Sequence, residues 1–300
     1  MARKQNRRSS PQRRRRSGNH YNFKVIFTVA VIVVLICSIA YSTCRNRAWN
    51  DSMNEAAQKS PLHELTVVRT VDTEDGQMLH YPGFDVFFSN RHRQPYYSAW
   101  ILTPEHAADK SVARSDNFRP DPNVPNSPQL SDYKRSGYDR GHMAPSADFR
   151  YSAEAQSATF FLTNMSPQHN NLNGRAWANL EEQCRNWALR DSSIVIIAGP
   201  ILSDYLTQTI GENRITVPDR YFKVVYAPYA NPPRAIGFIM PNQTVPGGVQ
   251  ASAVSVDEVE AVTGFDFFSA LPDELEDQIE SRADYSVWQR GINKKKKTRR

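Results

Sequence analysis

Cysteine is scarce in this chain, which has three cysteines, at positions 37, 44 and 184. Two of them lie in or beside one apolar segment and the third is far away, so they do not form a disulfide framework. Internal repeats are absent as well. Stability must therefore come from a packed core, and residues 63–290, about 230 positions, are enough for one large domain.

Acidic residues are missing from both ends of the chain. Residues 1–24 carry nine Lys or Arg and residues 294–300 carry six, which accounts for the formal charge of +6. The segment between them has 22 basic and 31 acidic residues, a net charge of −9. The basic pI is therefore no sign that the folded part binds nucleic acid, although basic tails attract polyanions and anionic lipid headgroups.

Long apolar runs are absent except at residues 25–44, where twenty consecutive residues carry no charge. At roughly 1.5 Å per residue, such a helix crosses a hydrocarbon core of about 30 Å. The basic residues before it predict a cytoplasmic amino terminus and an extracytoplasmic domain, periplasmic or extracellular, on a single-pass cell-membrane protein. A cleaved signal peptide is the alternative, which the length of the segment and the poor cleavage site Ser42-Thr43-Cys44 disfavour.

We therefore expect five segments along the chain. They are a basic cytoplasmic segment at 1–24, a transmembrane anchor at 25–44, a polar juxtamembrane linker at 45–62, a folded domain at 63–290 and a basic tail at 291–300.

Within the domain, β-branched and aromatic runs separated by turn formers predict strands at 65–71, 81–88, 96–102, 193–198, 220–227 and 235–240. Gly199-Pro200 is expected to end the fourth of these. Residues 116–132, rich in Pro, Asp, Asn and Ser, predict an ordered loop. Helical patterns at 173–190, 257–263 and 273–282 among the strands indicate an α+β domain.

The helix predicted at 173–190 has a clear apolar stripe. Its buried residues should be Trp177, Leu180, Cys184 and Trp187, whereas its water-facing residues should be Glu182, Arg185 and Arg190. Asn173 opens the helix, and Glu181 lies eight residues later, roughly 12 Å along the axis. Because helix side chains tilt toward the amino terminus, the Glu181 carboxylate should lean back toward Asn173.

The tetrapeptide Asp139-Arg140-Gly141-His142 concentrates chemical groups in a short stretch. If it is extended, Arg140 and His142 point to one face and Asp139 to the other. Neutral His142 could accept a proton from water, and Gly141 would let a phosphate or another backbone approach closely. Asn173 offers a neutral oxygen to a hard cation such as Mg²⁺.

Each of these residues also has a structural interpretation. A lone histidine is more often structural than catalytic, Asn173 alone is a typical helix N-cap, Glu181 alone a solvated helix residue and Arg140 alone a surface ion-pair partner.

The composite pattern, however, resembles the DNA/RNA non-specific endonuclease family. The resemblance rests on Asp139-Arg140-Gly141-His142-Met143-Ala144-Pro145, then Thr163-Asn164-Met165-Ser166-Pro167-Gln168, then Asn173 with Trp177 and Leu180-Glu181. It continues through Ala198-Gly199-Pro200, Val217-Pro218 with Lys223-Val224-Val225, and Ser255-Val256-Asp257 to Thr263-Gly264-Phe265. It covers about residues 65–280 and leaves out the apolar segment and both tails.

The resemblance implies a ββα-metal fold, with a central, mostly antiparallel sheet flanked by helices. It implies that His142 is the general base, Asn173 the direct Mg²⁺ ligand and Glu181 an outer-shell residue on metal-bound water. It further implies that Asn164 helps to fix the histidine or the water and that Arg140 lies near the phosphate. An upstream arginine is also expected, for which Arg114 is the best match and Arg119 the competitor.

These assignments predict a Mg²⁺-dependent endonuclease, with Mn²⁺ as a substitute metal, that hydrolyses both DNA and RNA. Two alternatives stay open: a membrane-anchored protein that binds or takes up nucleic acid with little turnover, and a phosphodiesterase of the same fold that acts on small nucleotides.

Overall fold

The computed structural model describes residues 23–59, 61–70, 75–203, 205 and 208–291. The chain divides into two compact units, residues 1–49 and 50–300. The basic segment predicted at 1–24 and the basic tail predicted at 291–300 therefore lie almost wholly outside the described residues. The polar linker predicted at 45–62 is helical as far as Lys59, because helix α1 (Phe23–Lys59) continues through it without a break.

In the first unit, the described residues form the amino-terminal part of α1. Its apolar side chains are exposed, for example Phe27, Leu35 and Ile36, each more than half accessible. The stretch Phe27–Ala57 is long and apolar enough to cross a membrane. Length and composition of this kind belong to membrane spans and to signal sequences alike.

The described residues of the second unit form thirteen strands, and the remaining helices lie among them. The strands are β1 Arg69–Thr70, β2 Gly76–Tyr81, β3 Phe84–Ser89, β4 Gln94–Leu102, β5 Asp139–His142, β6 Met165–Gln168, β7 Ile194–Ile201, β8 Thr209–Ile210, β9 Ile215–Thr216, β10 Arg220–Ala227, β11 Arg234–Pro241, β12 Ala253–Val254 and β13 Phe265–Asp266. The helices are α2 Pro104–Ala108, α3 Leu130–Tyr133, α4 Ala153–Ala158, α5 Ala178–Asp191, α6 Gly248–Ala251, α7 Val256–Thr263, α8 Asp273–Glu280 and α9 Tyr285–Gln289. A π-helical turn, Leu172–Trp177, leads directly into α5.

Seven strands form one antiparallel sheet in the order β12-β11-β10-β7-β4-β3-β2. Alternate residues of the central strands enter two different cores, as Trp100 and Ile196 do on one face and Ala99 and Ile197 on the other. Helix α5 covers the first face, and α7 and α8 cover the second. Burial on both faces explains why β7 is a continuous apolar run rather than an alternating one.

The α+β architecture with a central antiparallel sheet is confirmed, and the strands predicted at 96–102, 220–227 and 235–240 are present. The helices predicted at 257–263 and 273–282 correspond to α7 and α8. Residues 116–132 are largely irregular, and α3 begins at their end.

Three predicted strand boundaries are wrong. Residues 65–71 contain a 3₁₀ turn, Glu64–Thr66, and only the two-residue strand β1 before the described chain breaks off after residue 70. Residues 81–88 are not one strand, because β2 and β3 meet at a turn in which Gly83 adopts φ = +89°. Strand β7 continues through Gly199 to Ile201, since β10 keeps pairing with it there.

Candidate functional site

Strands β5 and β6 form a separate antiparallel pair that presents the tetrapeptide beside α5. His142 pairs with Met165 and Asp139 with Gln168. The indole nitrogen of Trp177 donates a hydrogen bond of 3.1 Å to the backbone oxygen of His142. Because Trp177 is the last residue of the π-helical turn, this bond fixes the strand end against the helix.

Gly141 is required for a different reason from the one predicted. A Cβ atom at this position would lie 2.1 Å from the side-chain oxygen of Gln168 on the paired strand. The space beside Gly141 therefore holds a buried glutamine side chain of the protein itself, not a phosphate or another backbone.

A cleft of about 640 Å³ opens along this ββα unit. The predicted site residues that line it are Arg114, Arg140, His142, Asn173 and Glu181. Sequence positions from 114 to 181 thus converge on one surface. Residues not predicted from the sequence also line it: Phe118, Leu130, Tyr133, Lys134, Tyr138, Asp139, Pro145, Ser146, Ala147 and Ala178.

His142 is 9% exposed and lies in an aromatic surround. Its ring packs edge-on against Phe160, with the ring centres 5.0 Å apart, and lies 5.6 Å from the ring of Phe118. Burial, followed by the charges of Arg114 and Arg140, lowers the pKa of His142 to about 3. The ring is therefore neutral at physiological pH, and its Nε2 atom has no hydrogen-bond partner among the described residues.

The structure separates the two candidates for the upstream arginine. Arg114 lines the cleft and donates hydrogen bonds to Ser146 Oγ at 2.8 Å and to Asp116 at 2.6 Å. Arg119 instead stacks on Phe161, 3.8 Å from the ring centre, and does not line the cleft. Its guanidinium donates to backbone oxygens, which is a structural arrangement.

Arg140 is exposed at the cleft and lies 4.1 Å above the ring of Phe118. Since His142 also contacts Phe118, the prediction that these two side chains share a face is confirmed. Asp139, at the start of the same strand, pairs with Gln168. Its carboxylate accepts a hydrogen bond of 3.0 Å from the side-chain nitrogen of Asn173, because the π-helical turn lies beside the start of β5.

That hydrogen bond also orients Asn173. With its NH₂ group committed to Asp139, the amide presents its oxygen elsewhere, and Asn173 lines the cleft. Asn173 lies one residue inside the π-helical turn and is not its N-cap, which is Asn171. π-Helical turns widen a helix locally and are frequent at functional sites.

Glu181, half-buried in the first turn of α5, also reaches the cleft. Burial raises the pKa of its carboxyl to about 7, although the positive charges of Lys223, Arg185 and Arg114 act in the opposite direction. No hydrogen bond joins this carboxylate to another residue in the part of the chain that the structure describes.

A buried group of charges lies behind Glu181, and the sequence did not indicate it. Arg185 was expected to face water but forms an ion pair of 2.8 Å with Asp148, whose side chain is 1% exposed. Lys223, fully buried on β10, lies 4.5 Å from the ring centre of Trp177 and 5.2 Å from that of Trp100. The predicted apolar stripe of the helix, in contrast, is confirmed, with all four of its residues buried.

Asn164 is not in the cleft. It is fully buried, and its side chain forms four hydrogen bonds, two with the backbone of Ala144 at 3.0 and 2.9 Å, one with Thr159 at 2.9 Å and one with Ser98 at 2.9 Å. The backbone after His142 is therefore held in place by Asn164, which lies outside the cleft.

The donor set fits a hard cation. Asn173 supplies a neutral amide oxygen, and Glu181 supplies a half-buried carboxylate with no hydrogen-bond partner among the described residues. Oxygen ligands of this kind bind Mg²⁺ or Mn²⁺ with several retained waters, whereas no cysteine lines the cleft. A neutral histidine, oxygen donors and two arginines on a ββα unit define the class of site that processes phosphate esters.

Comparison with known proteins agrees with this assignment. The family model of the DNA/RNA non-specific endonucleases matches residues 64–274, and the chain belongs to this family. A protein named Nuclease from Nostoc sp. is 34% identical over 228 residues, which is 71% of this chain and 80% of that protein. The Nuclease 1, mitochondrial, of Schizosaccharomyces pombe is 33% identical over 210 residues, 63% of this chain.

The similarity extends to the solved structures. A crystal structure of the EndoG/EndoGI complex contains a chain with a TM-score of 0.62 and 30% sequence identity. That match covers 66% of this chain and 88% of the other. The match to the Schizosaccharomyces pombe protein spans 65% of that relative's own length.

Proposed function

We propose that this protein is a sugar-non-specific, Mg²⁺-dependent endonuclease that hydrolyses phosphodiester bonds in DNA and RNA. The observation that carries the proposal is the convergence of His142, Asn173, Glu181 and two arginines on one cleft of a ββα unit. Family membership supports the same reaction class. The intact set of chemical groups disfavours a protein that only binds nucleic acid.

His142 is the general base in this proposal. Its low pKa keeps the ring unprotonated, so a ring nitrogen can accept a proton from the attacking water. The resulting hydroxide attacks phosphorus, and the bond to the 3′ oxygen breaks, which leaves a 5′-phosphate. Since water is the nucleophile, a ribose 2′-hydroxyl is unnecessary and both DNA and RNA serve as substrates.

Arg114 and Arg140 supply the positive charge for the phosphate. Both are exposed at the cleft, so they can reach a backbone phosphate without entering a groove or contacting a base edge. Arginine donors aimed at the reacting phosphate stabilise the charge that develops as the bond breaks. Sequence specificity should therefore be low, and binding should weaken as salt concentration rises.

Asn173 and Glu181 are the residues that would hold the metal, Asn173 through its amide oxygen and Glu181 through water. When bound, Mg²⁺ supplies positive charge to the phosphate oxygens and to the leaving oxygen. Asp139 keeps the Asn173 amide in the orientation that exposes its oxygen. Mn²⁺ should substitute for Mg²⁺ because it accepts the same oxygen donors.

The full chain, purified in detergent, provides the first test. It should degrade plasmid DNA and RNA in Mg²⁺ and lose this activity in a chelator. His142→Ala should lower kcat by at least about 100-fold, the scale of general-base catalysis. His80→Ala is the matched control, because His80 is exposed on β2 and pairs with Asp85. Full activity in His142→Ala would refute the assignment of the base.

The metal ligand has its own matched pair of variants. Asn170 and Asn173 both donate to the same Asp139 oxygen, at 3.1 and 3.0 Å, but only Asn173 lines the cleft. Asn173→Ala should raise the Mg²⁺ concentration needed for half-maximal activity, and excess Mg²⁺ should partly restore the rate. Asn170→Ala should leave the Mg²⁺ requirement unchanged. Identical behaviour of the two variants would contradict direct ligation by Asn173.

A substrate panel distinguishes the remaining alternative. A phosphodiesterase specific for small nucleotides would cleave a dinucleotide or an ester analogue at least as fast as plasmid DNA. We expect the reverse order, because a cleft bordered by exposed arginines suits a long phosphate backbone.

For location, we propose that α1 anchors the protein in the cell membrane with the amino terminus in the cytoplasm. Protease added to intact cells should then remove the domain, whereas a cleaved signal sequence would release a shortened soluble protein. An extracytoplasmic domain keeps a non-specific nuclease away from cytoplasmic nucleic acid.

A further inference from the structure

A second group of acidic side chains lies on the other face of the sheet, where α7 and α8 pack. Asp257 and Glu260 are one turn apart on α7, and Glu280 ends α8. Each offers a carboxylate oxygen, and the three oxygens all lie within 4.8 Å of one another. The apolar sides of both helices enter the second core, so their acidic sides face each other above it.

Glu280 is the residue that makes this more than a surface acidic cluster. It is 4% exposed, and its Oε1 atom has no hydrogen-bond partner among the described residues. A buried carboxylate without a partner costs several kcal/mol if it is ionised. Such a group is stable only if it holds a proton or if a cation lies against it.

Neighbouring negative charges increase the free-energy cost of ionising Glu280. Burial, followed by the negative charges of Glu260 and Glu276, raises the pKa of Glu280 to about 10. Among the described residues, no ion pair involves Asp257, Glu260 or Glu280, and Arg69 instead lies 3.8 Å from Asp266. Glu260 uses one oxygen to accept a hydrogen bond of 2.8 Å from the backbone of Phe267, so its carboxylate is fixed in place.

We propose that Asp257, Glu260 and Glu280 bind a Ca²⁺ ion that ties the carboxyl end of α8 to α7. Carboxylate oxygens without any nitrogen or sulfur donor select a hard cation. Ca²⁺ accepts several carboxylates in a flexible geometry, and its bonds of about 2.3–2.6 Å let two ligand oxygens lie up to about 4.6–5.2 Å apart, which includes separations within 4.8 Å. Asp257 is exposed and gives the ion a path from solvent.

This site is structural and independent of the nuclease cleft. Both helices have eight residues, a length at which helices are unstable alone. A capping box between Ser255 and Glu258 fixes the start of α7, and Gly264 at φ = +70° ends it. At the end of α8, the Ser281 hydroxyl donates a long hydrogen bond of 3.5 Å to the backbone oxygen of Gln278, and the ion would add a second contact at the last residue of the helix.

The test uses CaCl₂ and the full chain carrying Asn173→Ala, which weakens metal binding at the cleft. Calorimetric titration should show one Ca²⁺ site, and saturating Ca²⁺ should raise Tm by roughly 5 °C. Glu280→Gln, which preserves side-chain size, should weaken Ca²⁺ binding at least tenfold and abolish the rise in Tm. Glu274→Gln is the matched control, because Glu274 lies exposed on the same helix.

A second variant tests the cluster at a residue that is not buried. Asp257→Asn, at an exposed position, should also weaken binding without unfolding the chain. An equal rise in Tm with and without Glu280→Gln, or the absence of a Ca²⁺ site, would overturn the proposal.

Discussion

Lys223 is a buried cation, and its replacement should change the pH dependence of catalysis without a large change in the stability of the fold. Its ammonium group has no hydrogen-bond partner among the described residues and packs against the rings of Trp100 and Trp177. Among the neighbouring charges, it has the largest effect in lowering the pKa of Glu181. We predict that Lys223→Met shifts the activity profile toward alkaline pH while the protein stays folded.

The magnitude follows from the Glu181 carboxyl, whose pKa is about 7. A cation nearby lowers a carboxyl pKa by about one unit or more, so its loss should raise that of Glu181 to about 8. At pH 7 the ionised fraction would then fall from about one half to about one tenth, and metal-dependent activity would fall about fivefold. At pH 9 the Glu181 carboxyl should be largely ionised in both the wild-type protein and the variant, so their rates should converge.

Stability should respond differently. Methionine fills a similar volume, and replacing a buried charge with an apolar side chain is often neutral or stabilising. Asp148 keeps its ion pair with Arg185 and its hydrogen bond from Trp100. We expect the free energy of unfolding to change by less than about 1 kcal/mol, a Tm shift of no more than about 4 °C.

The assay is kcat/KM on plasmid DNA from pH 6 to pH 9.5 at saturating and limiting Mg²⁺, with Tm measured in parallel. Lys110→Met, at an exposed position, is the control for loss of a positive charge. A rate that falls equally at every pH would refute the electrostatic link to Glu181, and a large loss of Tm would show that Lys223 is mainly a structural residue.

Three further variants test other contacts. Gly141→Ala should lower both Tm and kcat, because the new methyl group would lie 2.1 Å from the side chain of Gln168. Gly174→Ala is the control and should be tolerated, since no atom lies within 4 Å of the added group. Equal Tm values for the two variants would contradict this contact. Trp177→Phe removes the hydrogen bond to the backbone of His142 and should lower the free energy of unfolding by about 1 kcal/mol, measured by denaturant titration. It should also reduce kcat, measured by steady-state rates, because His142 is held less firmly. An unchanged kcat would show that this hydrogen bond does not position the base. Arg114→Ala should lower kcat by about 100-fold with little change in Tm. A lower Tm with an unchanged kcat would instead indicate that Arg114 is a structural residue.

The structure explains which site residues could be found from the sequence. His142, Asn173 and Arg140 occur within short segments whose residue types carry chemistry by themselves. The apolar stripe of α5 follows the helical period of 3.6 residues, which is a local property, so the face that the sequence predicts to be buried is the buried face in the structure. The strands predicted at 96–102 and 220–227 were likewise found because their β-branched and aromatic content is local.

Contacts between residues far apart in the chain could not be found in this way. Asn164 bonds to Ser98, which is 66 positions away, and Arg185 pairs with Asp148, 37 positions away. The hydrogen bond from Asn173 to Asp139 joins residues 34 positions apart, because the helical turn meets the start of β5 only in the folded chain. Lys223 belongs to a motif that was recognised, but its burial between two tryptophans depends on the packing of β10 against α5.

The sequence by itself determined the apolar amino-terminal helix, the α+β class and the short segments that carry His142 and Asn173, because periodicity and residue chemistry are local properties. Only the tertiary structure decided the hairpin between β2 and β3, the position of Arg114 in the cleft and of Arg119 outside it, the charges behind Glu181 and the carboxylates around Glu280. These features arise where segments far apart in the chain pack together, and burial there changes the ionisation of a side chain that would be ordinary in water.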